Sequence, residues 1–140
     1  MSKLTVYTDG GARGNPGPAA CGVVIKNENE EIIFEASKYL GTATNNQAEY
    51  EALILALQKA REMFEKENSK DGNIESYLDS ELIVKQLNGE YRIKNEGLKP
   101  LYEKVSSLKK HFNSIKFIHI PREKNKLADK LVNRELDAHE

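Results

Sequence analysis

Four acidic residues lie where the surrounding pattern predicts strand ends or buried helix faces: Asp9, Glu49, Asp79 and Asp129. Asp9 and Asp79 each close an apolar strand, whereas Glu49 and Asp129 share a helix face with apolar residues at helical spacing. A buried carboxylate is unfavourable unless a positive group compensates its charge, and a divalent cation is the usual one. The four residues therefore predict metal-dependent chemistry, most naturally on phosphate.

Each of these residues also has an ordinary structural explanation. Asp9 precedes a glycine, as in a common turn, and Asp79 stands where a helix N-cap would, although Ser80 can cap that helix instead. Glu49 would complement a helix dipole in the first turn, and Asp129 would be a solvated aspartate among lysines. None of the four decides the matter alone, but their convergence on one edge of one sheet favours a site.

Composition narrows the class of protein. The 140 residues suffice for one domain with a core, which we expect to span residues 1–140. The formal net charge is −1, so any basic surface that binds nucleic acid must be local. The single cysteine argues against a disulfide framework. Cysteine and histidine residues do not occur at the spacing of a zinc site, and the lack of a P-loop pattern argues against nucleoside triphosphate binding. No apolar run reaches transmembrane length, and we expect a cytoplasmic monomer with no membrane partner.

Hydrophobic periodicity predicts an α/β fold, a five-stranded mixed sheet flanked by helices in the order βββαβααβα. A capping box from Thr44 to Gln47 opens the first helix, which runs to about residue 66. This helix implies a crossover, so the last two strands should run parallel to the first and bring Asp9 beside Asp79. The expected strands are 3–9, 20–26, 31–37, 73–79 and 115–120, and the later helices are 81–88, one starting near 100, and 125–137.

Four motifs, in this order, resemble those of type 1 ribonuclease H: residues 7–18 (YTDGGARGNPGP), 44–50 (TNNQAEY), 78–84 (LDSELIV) and 128–133 (ADKLVN). The resemblance implies that family's βββαβααβα fold and an endonuclease that cuts the RNA strand of RNA/DNA hybrids with two Mg²⁺ or Mn²⁺ ions. It assigns Asp9 to both ions and Glu49 and Asp79 to the ion on the leaving-group side. Asp129 would help to hold the ion that delivers the attacking water. The expected products carry a 5′ phosphate and a 3′ hydroxyl.

The resemblance also implies a set of residues that bind the hybrid. Asn15, Asn45 and Asn46 match positions that contact its minor groove, where 2′-hydroxyls distinguish RNA from DNA. Thr44 and Asn45 would receive a phosphate of the DNA strand, and helix capping by these residues is compatible with that role. The remaining substrate-binding candidates are Gln47 and Ser80. Double-stranded RNA stays open as a second substrate.

Two departures from the family pattern indicate a short, archaeal-like form. The loop before Asp129 lacks the histidine found in many bacterial members; Arg122 or Glu123 would have to assist in its place, unless both simply belong to a solvated turn. Residues 88–100 lack the long basic, tryptophan-rich protrusion that helps many members to grip the hybrid. We therefore expect weak and strongly salt-sensitive binding through the remaining lysines.

Two other functions compete with a hybrid-specific nuclease. A catalytically silent nucleic-acid-binding domain of the same fold is one, but clustered negative charge would not help a protein that only binds phosphates. A related metal nuclease, such as a resolvase or an exonuclease, would share the carboxylates but not the asparagine set at Asn15, Asn45 and Asn46.

Overall fold

One mixed sheet carries the whole architecture. The computed structural model describes residues 2–69 and 71–140, and within them five strands and four α-helices are present. The strands are β1 (Lys3–Ala12), β2 (Gly17–Lys26), β3 (Ile32–Ala43), β4 (Asn73–Leu78) and β5 (Ser114–His119). The helices are α1 (Asn45–Lys66), α2 (Glu81–Leu87), α3 (Lys99–Lys109) and α4 (Lys126–Ala138), the last preceded by a 3-10 turn, Arg122–Lys124.

The strand order is β3-β2-β1-β4-β5. The first three strands form an antiparallel meander, and β4 and β5 run parallel to β1, which confirms the predicted fold. The register pairs Asp9 with Gly22 of β2 and Thr8 with Leu78 of β4. Asp9 and Asp79 therefore emerge next to each other at one edge of the sheet.

Helices cover both faces of this sheet. On one face α1 packs against β1, β2 and α3, and a continuous apolar cluster joins Leu53 of α1, Ile83 of α2 and Val105 of α3 to the strands. On the other face α4 lies across β1, β2 and β3. Among the described residues, no helix combines the length and the apolar character that crossing a bilayer requires.

The first three strands are longer than the sequence predicts. The prediction that β1 ends at Asp9 was wrong, because the strand continues through two glycines to Ala12 and pairs there with β2. Similarly, β2 begins at Gly17 and β3 extends to Ala43. Backbone pairing needs no apolar side chain, so hydrophobic periodicity does not register these extensions.

The predicted capping box at the start of α1 is confirmed. Thr44 Oγ1 accepts a hydrogen bond from the Gln47 backbone N–H at 3.1 Å, and Gln47 Oε1 accepts one from the Thr44 N–H at 2.9 Å. The pair satisfies two backbone donors that a helix start would otherwise leave unpaired. It also fixes where α1 begins, one turn before Glu49.

Candidate functional site

Three of the four predicted carboxylates meet at the carboxyl edge of β1 and β4. One oxygen each from Asp9, Glu49 and Asp79 can be chosen so that all three lie within 4.8 Å of one another. Asp9 and Glu49 are only 6% and 5% exposed, while Asp79 is half-buried. Each comes from a different element, so the tertiary fold brings them together.

A glycine places Glu49 against the sheet. A Cβ atom on Gly10 would lie 2.2 Å from the carbonyl carbon of Ala48, so the backbone of α1 rests directly on β1 at this point. The Gly10 N–H donates to Glu49 Oε1 at 3.0 Å. The other oxygen, Glu49 Oε2, is buried and has no hydrogen-bond partner among the residues that the structure describes. A buried carboxylate oxygen without a hydrogen-bond partner is energetically unfavourable, and it is available to bind a cation.

Asp79 stays free to face the cleft because its neighbour caps the next helix. Ser80 Oγ accepts a hydrogen bond from the Ile83 N–H at 3.3 Å, which makes Ser80 the N-cap of α2. Asp79 Oδ2 instead accepts from Asn125 Nδ2 at 3.0 Å. The expectation that serine replaces aspartate as the cap is confirmed.

Asp129 approaches Asp9 from the opposite face. A Cβ on Gly22, the residue paired with Asp9, would lie 2.6 Å from the carbonyl oxygen of Ala128, so α4 also touches the sheet through backbone. Asp129 follows in the first turn of α4, half-buried. Its carboxylate is close enough to raise the pKa of Asp9, although it lies outside the group of three.

The cluster is electrostatically unfavourable without a cation. Burial raises the pKa of Asp9 to about 7; the adjacent carboxyl group of Glu49 opposes this shift, and the charges of Asp79 and Asp129 reinforce it. Burial, followed by the charge of Asp9, raises the pKa of Glu49 well above its usual range. Converging oxygen donors and an unpartnered buried oxygen fit a hard divalent cation.

The raised pKa values predict that stability falls with pH. Between the unfolded and folded pKa values the folded chain holds more protons, so the free energy of unfolding should drop as pH rises from about 4 through about 7. Since each unit of pKa corresponds to about 1.4 kcal/mol, we expect a loss of about 2–4 kcal/mol in metal-free buffer. Urea titrations in EDTA at several pH values measure it.

Glu49→Gln should flatten this dependence because it removes one of the coupled charges. Glu62→Gln is the matched control, since Glu62 is an exposed residue of the same helix. An equally steep loss of stability in Glu49→Gln would show that the buried cluster is not its source.

Three of the four carboxylates, Asp9, Glu49 and Asp79, line one side of an open cleft of about 410 Å³. Among the predicted substrate-binding residues, Asn45, Asn46 and Ser80 also line it, and Arg122 lies at its wall. Glu123 is exposed and does not contribute to the lining. Carboxylates and amides therefore face the same space, with a guanidinium beside them.

The predicted substrate-binding residues that do not line the cleft form hydrogen bonds next to it. Thr44 and Gln47 bond to each other in the capping box. Asn15 Oδ1 accepts from the Asn45 N–H at 3.0 Å, and Asn45 Oδ1 accepts from the Ala12 N–H at 2.8 Å. These bonds tie the end of β1 and the following loop to the start of α1.

Sequence reasoning did not identify the residues that position the carboxylates. Gly10 and Gly22 allow the two helices to approach, and the Asn125 amide bonds Asp79. Asn125 lies one turn before Asp129, so helical spacing places the two on one face. Nothing in the sequence indicates that the Asn125 side chain has a partner at the end of β4. A glycine inside an apolar strand was the available signal for close backbone approach.

Comparisons with known proteins agree with this geometry. A family model described as reverse transcriptase-like matches residues 7–135. Ribonuclease HI of Halobacterium salinarum is 39% identical over 136 residues, 96% of this chain and 65% of that protein. The crystal structure of LC11-RNase H1 in complex with RNA/DNA hybrid superimposes with a TM-score of 0.91 at 47% identity, covering 97% of this chain and 98% of that one.

Some relatives are much longer. The bifunctional protein Rv2228c of Mycobacterium tuberculosis is 36% identical over 137 residues, and the match covers 97% of this chain but 36% of that protein. The chain thus spans about a third of the length of that relative. The family model covers most of the chain, and the likeness to proteins named ribonuclease HI and RNase H1 gives the assignment: this chain belongs to the ribonuclease H family, in its type 1 form.

Proposed function

We propose that this chain hydrolyses the RNA strand of RNA/DNA hybrids at the cleft, leaving a 5′ phosphate and a 3′ hydroxyl. The observation that carries the proposal is the meeting of Asp9, Glu49 and Asp79 within 4.8 Å, with the buried Oε2 of Glu49 left without a hydrogen-bond partner among the described residues. A domain that only bound nucleic acid would gain nothing from clustered carboxylates, because their negative charge repels phosphate.

The carboxylates are suited to hold Mg²⁺ or Mn²⁺. Asp9 would serve both ions, Glu49 and Asp79 would hold the ion on the leaving-group side, and Asp129 would help to hold the ion that delivers the attacking water. Oxygen donors of this kind match the preference of both cations. Bound divalent ions supply activation of water and neutralisation of charge at the departing oxygen. The protein's own part is to hold the four carboxylates at the correct spacing, so that bound cations can offset the repulsion among them.

The amides beside the cleft are suited to bind the hybrid. The side-chain oxygens of Asn15 and Asn45 already accept backbone hydrogen bonds, so their NH₂ groups remain as donors for base edges and 2′-hydroxyls. Asn46 and Ser80 offer further polar contacts in the same cleft. The likeness to LC11-RNase H1, whose structure contains an RNA/DNA hybrid, supports this substrate.

Arg122 is the candidate to stand in for the loop histidine that many bacterial members of the family carry. Arg122 lines the cleft that contains Asp9 and Asp79. A guanidinium stays charged throughout the working pH range, so Arg122 would attract and orient a phosphate but would not carry protons. Glu123 lacks this support because it does not line the cleft.

The test is cleavage of a labelled RNA/DNA hybrid by the wild-type protein in Mg²⁺, in Mn²⁺ and in EDTA. Duplex DNA, double-stranded RNA and a four-way DNA junction serve as parallel substrates. We expect metal-dependent cleavage of the RNA strand of the hybrid, with 5′ phosphate ends. Cutting of duplex DNA or of the junction would favour the related metal nucleases, and binding without cleavage would favour the silent domain.

We further propose that residues 1–140 act as one ribonuclease H domain, as a monomer, in the cytoplasm. The continuous sheet supports the first statement, since β1 at its centre pairs with both β2 and β4. The single cysteine, Cys21, is a free and buried thiol, as suits a reducing compartment.

A further inference from the structure

Asn125 occupies an unusual position at the edge of the carboxylate cluster. It is 2% exposed, yet its side chain makes no capping hydrogen bond to the helix that it precedes. Instead, Nδ2 donates to the carbonyl oxygen of Thr8 at 2.8 Å and to Asp79 Oδ2 at 3.0 Å. The first acceptor lies on β1 and the second directly follows the neighbouring strand β4, so one amide bridges β1 and the end of β4.

The chemistry of the two partners selects an amide at this position. A backbone carbonyl and a carboxylate both accept hydrogen bonds, so the group between them must donate twice from one atom. An NH₂ group does so without carrying charge. A lysine or an arginine would also donate, but its positive charge would compete with a cation for the same carboxylates.

The backbone of Asn125 bonds the backbone of Asp129, the residue that bears the fourth carboxylate. The Asp129 N–H donates to the Asn125 carbonyl oxygen at 3.1 Å, within the first turn of α4. The side chain of Asn125 therefore holds Asp79, while its main chain starts the helical turn that carries Asp129. One buried residue thus links the Asp79 carboxylate to β1 and to the first turn of α4.

We infer that Asn125 is a positioning residue for the metal site: it fixes the direction of the Asp79 carboxylate and the seating of α4, and thereby sets the affinity for divalent cations. The inference rests on the proposed metal-dependent function. It predicts that Asn125 acts on metal binding and hence on turnover, with little effect on the grip on the hybrid. Outer-shell hydrogen bonds to ligating carboxylates typically change metal affinity or activity about 10–100-fold.

The test is a direct Mn²⁺ titration, by calorimetry without nucleic acid, of wild type and Asn125→Ala. We expect about tenfold weaker binding in the variant. In hybrid cleavage, the metal concentration for half-maximal rate should rise by a similar factor, while KM for the hybrid at saturating metal stays unchanged. Asn133→Ala is the matched control, because Asn133 is an exposed asparagine on the same helix that donates to the Asp129 carbonyl oxygen.

Circular dichroism establishes that each variant is folded before titration. If the alanine variant does not fold, Asn125→Leu takes its place, since leucine has nearly the shape of asparagine but no hydrogen-bond donor. A folded variant with wild-type Mn²⁺ affinity would overturn the inference, and would leave Asn125 with a structural role alone. A wild-type protein that binds no Mn²⁺ would overturn the proposed metal site and this inference together.

Discussion

Asp9→Asn abolishes cleavage of the hybrid while leaving its binding intact; this is the largest functional effect that we expect. Asp9 is the central residue of the site, because Glu49, Asp79 and Asp129 all affect the pKa of its carboxylate. The substitution keeps the shape of the side chain and removes its charge. We expect the rate of RNA-strand cleavage to fall on the order of 10³-fold or more, as when a central electrostatic group is removed from an active site.

Two measurements separate loss of catalysis from loss of binding. Fluorescence anisotropy with labelled hybrid in EDTA should give equal or tighter binding for Asp9→Asn, because one negative charge near the phosphates is gone. Asp71→Asn is the control, since Asp71 is an exposed aspartate that precedes β4 at the far end of the strand from Asp79. Substantial residual cleavage by Asp9→Asn would contradict the proposed role of the cluster.

Gly10→Ala should damage both stability and activity, and we expect it to be the most severe of the small substitutions. The added Cβ would lie 2.2–2.4 Å from backbone atoms of Ala48 and Glu49, where real Cβ atoms essentially never come within 3.0 Å. Backbone cannot rotate away as a side chain can, so α1 must move off β1. We expect a loss of about 3 kcal/mol or more in the free energy of unfolding, at the upper end of overpacking effects.

The neighbouring glycine provides the control for this prediction. A Cβ on Gly11 would meet only Val132 Cγ1, at 3.7 Å, an ordinary contact. Gly11→Ala should therefore change stability by less than about 0.5 kcal/mol. Urea unfolding compares the two variants, and Mn²⁺ titration then reports whether Glu49 has been displaced from Asp9. Equal stability of both alanine variants would show that α1 does not depend on contact at Gly10.

Local sequence signals were sufficient for the element order and for the neighbourhood of the site. The capping box at Thr44 places the start of α1, and helical spacing then puts Glu49 on its inner face. The crossover rule makes β4 parallel to β1, which is enough to bring Asp79 beside Asp9. These features depend on short stretches of chain and on general rules of connection.

The supporting contacts could not be predicted in the same way. Asn125 bonds Thr8, which is 117 positions away, and nothing local in either residue indicates the other. The extension of β1 past Asp9 depends on β2 offering a backbone partner at Cys21 and Ala20. Both features arise only once the sheet and α4 are assembled, so they are properties of tertiary structure.

The hydrogen bonds that link Asn15 to Asn45, and Asn45 to Ala12, have an entropic consequence for binding. A polar loop that meets a nucleic acid usually loses conformational freedom at that moment, and the loss weakens the complex. Here the capping box and the asparagine bonds already restrict the backbone in the free protein. The ordering takes place when the chain folds, so more of the contact energy remains for holding the ligand. We expect this rigidity to offset part of the affinity lost with the basic protrusion that residues 88–100 lack.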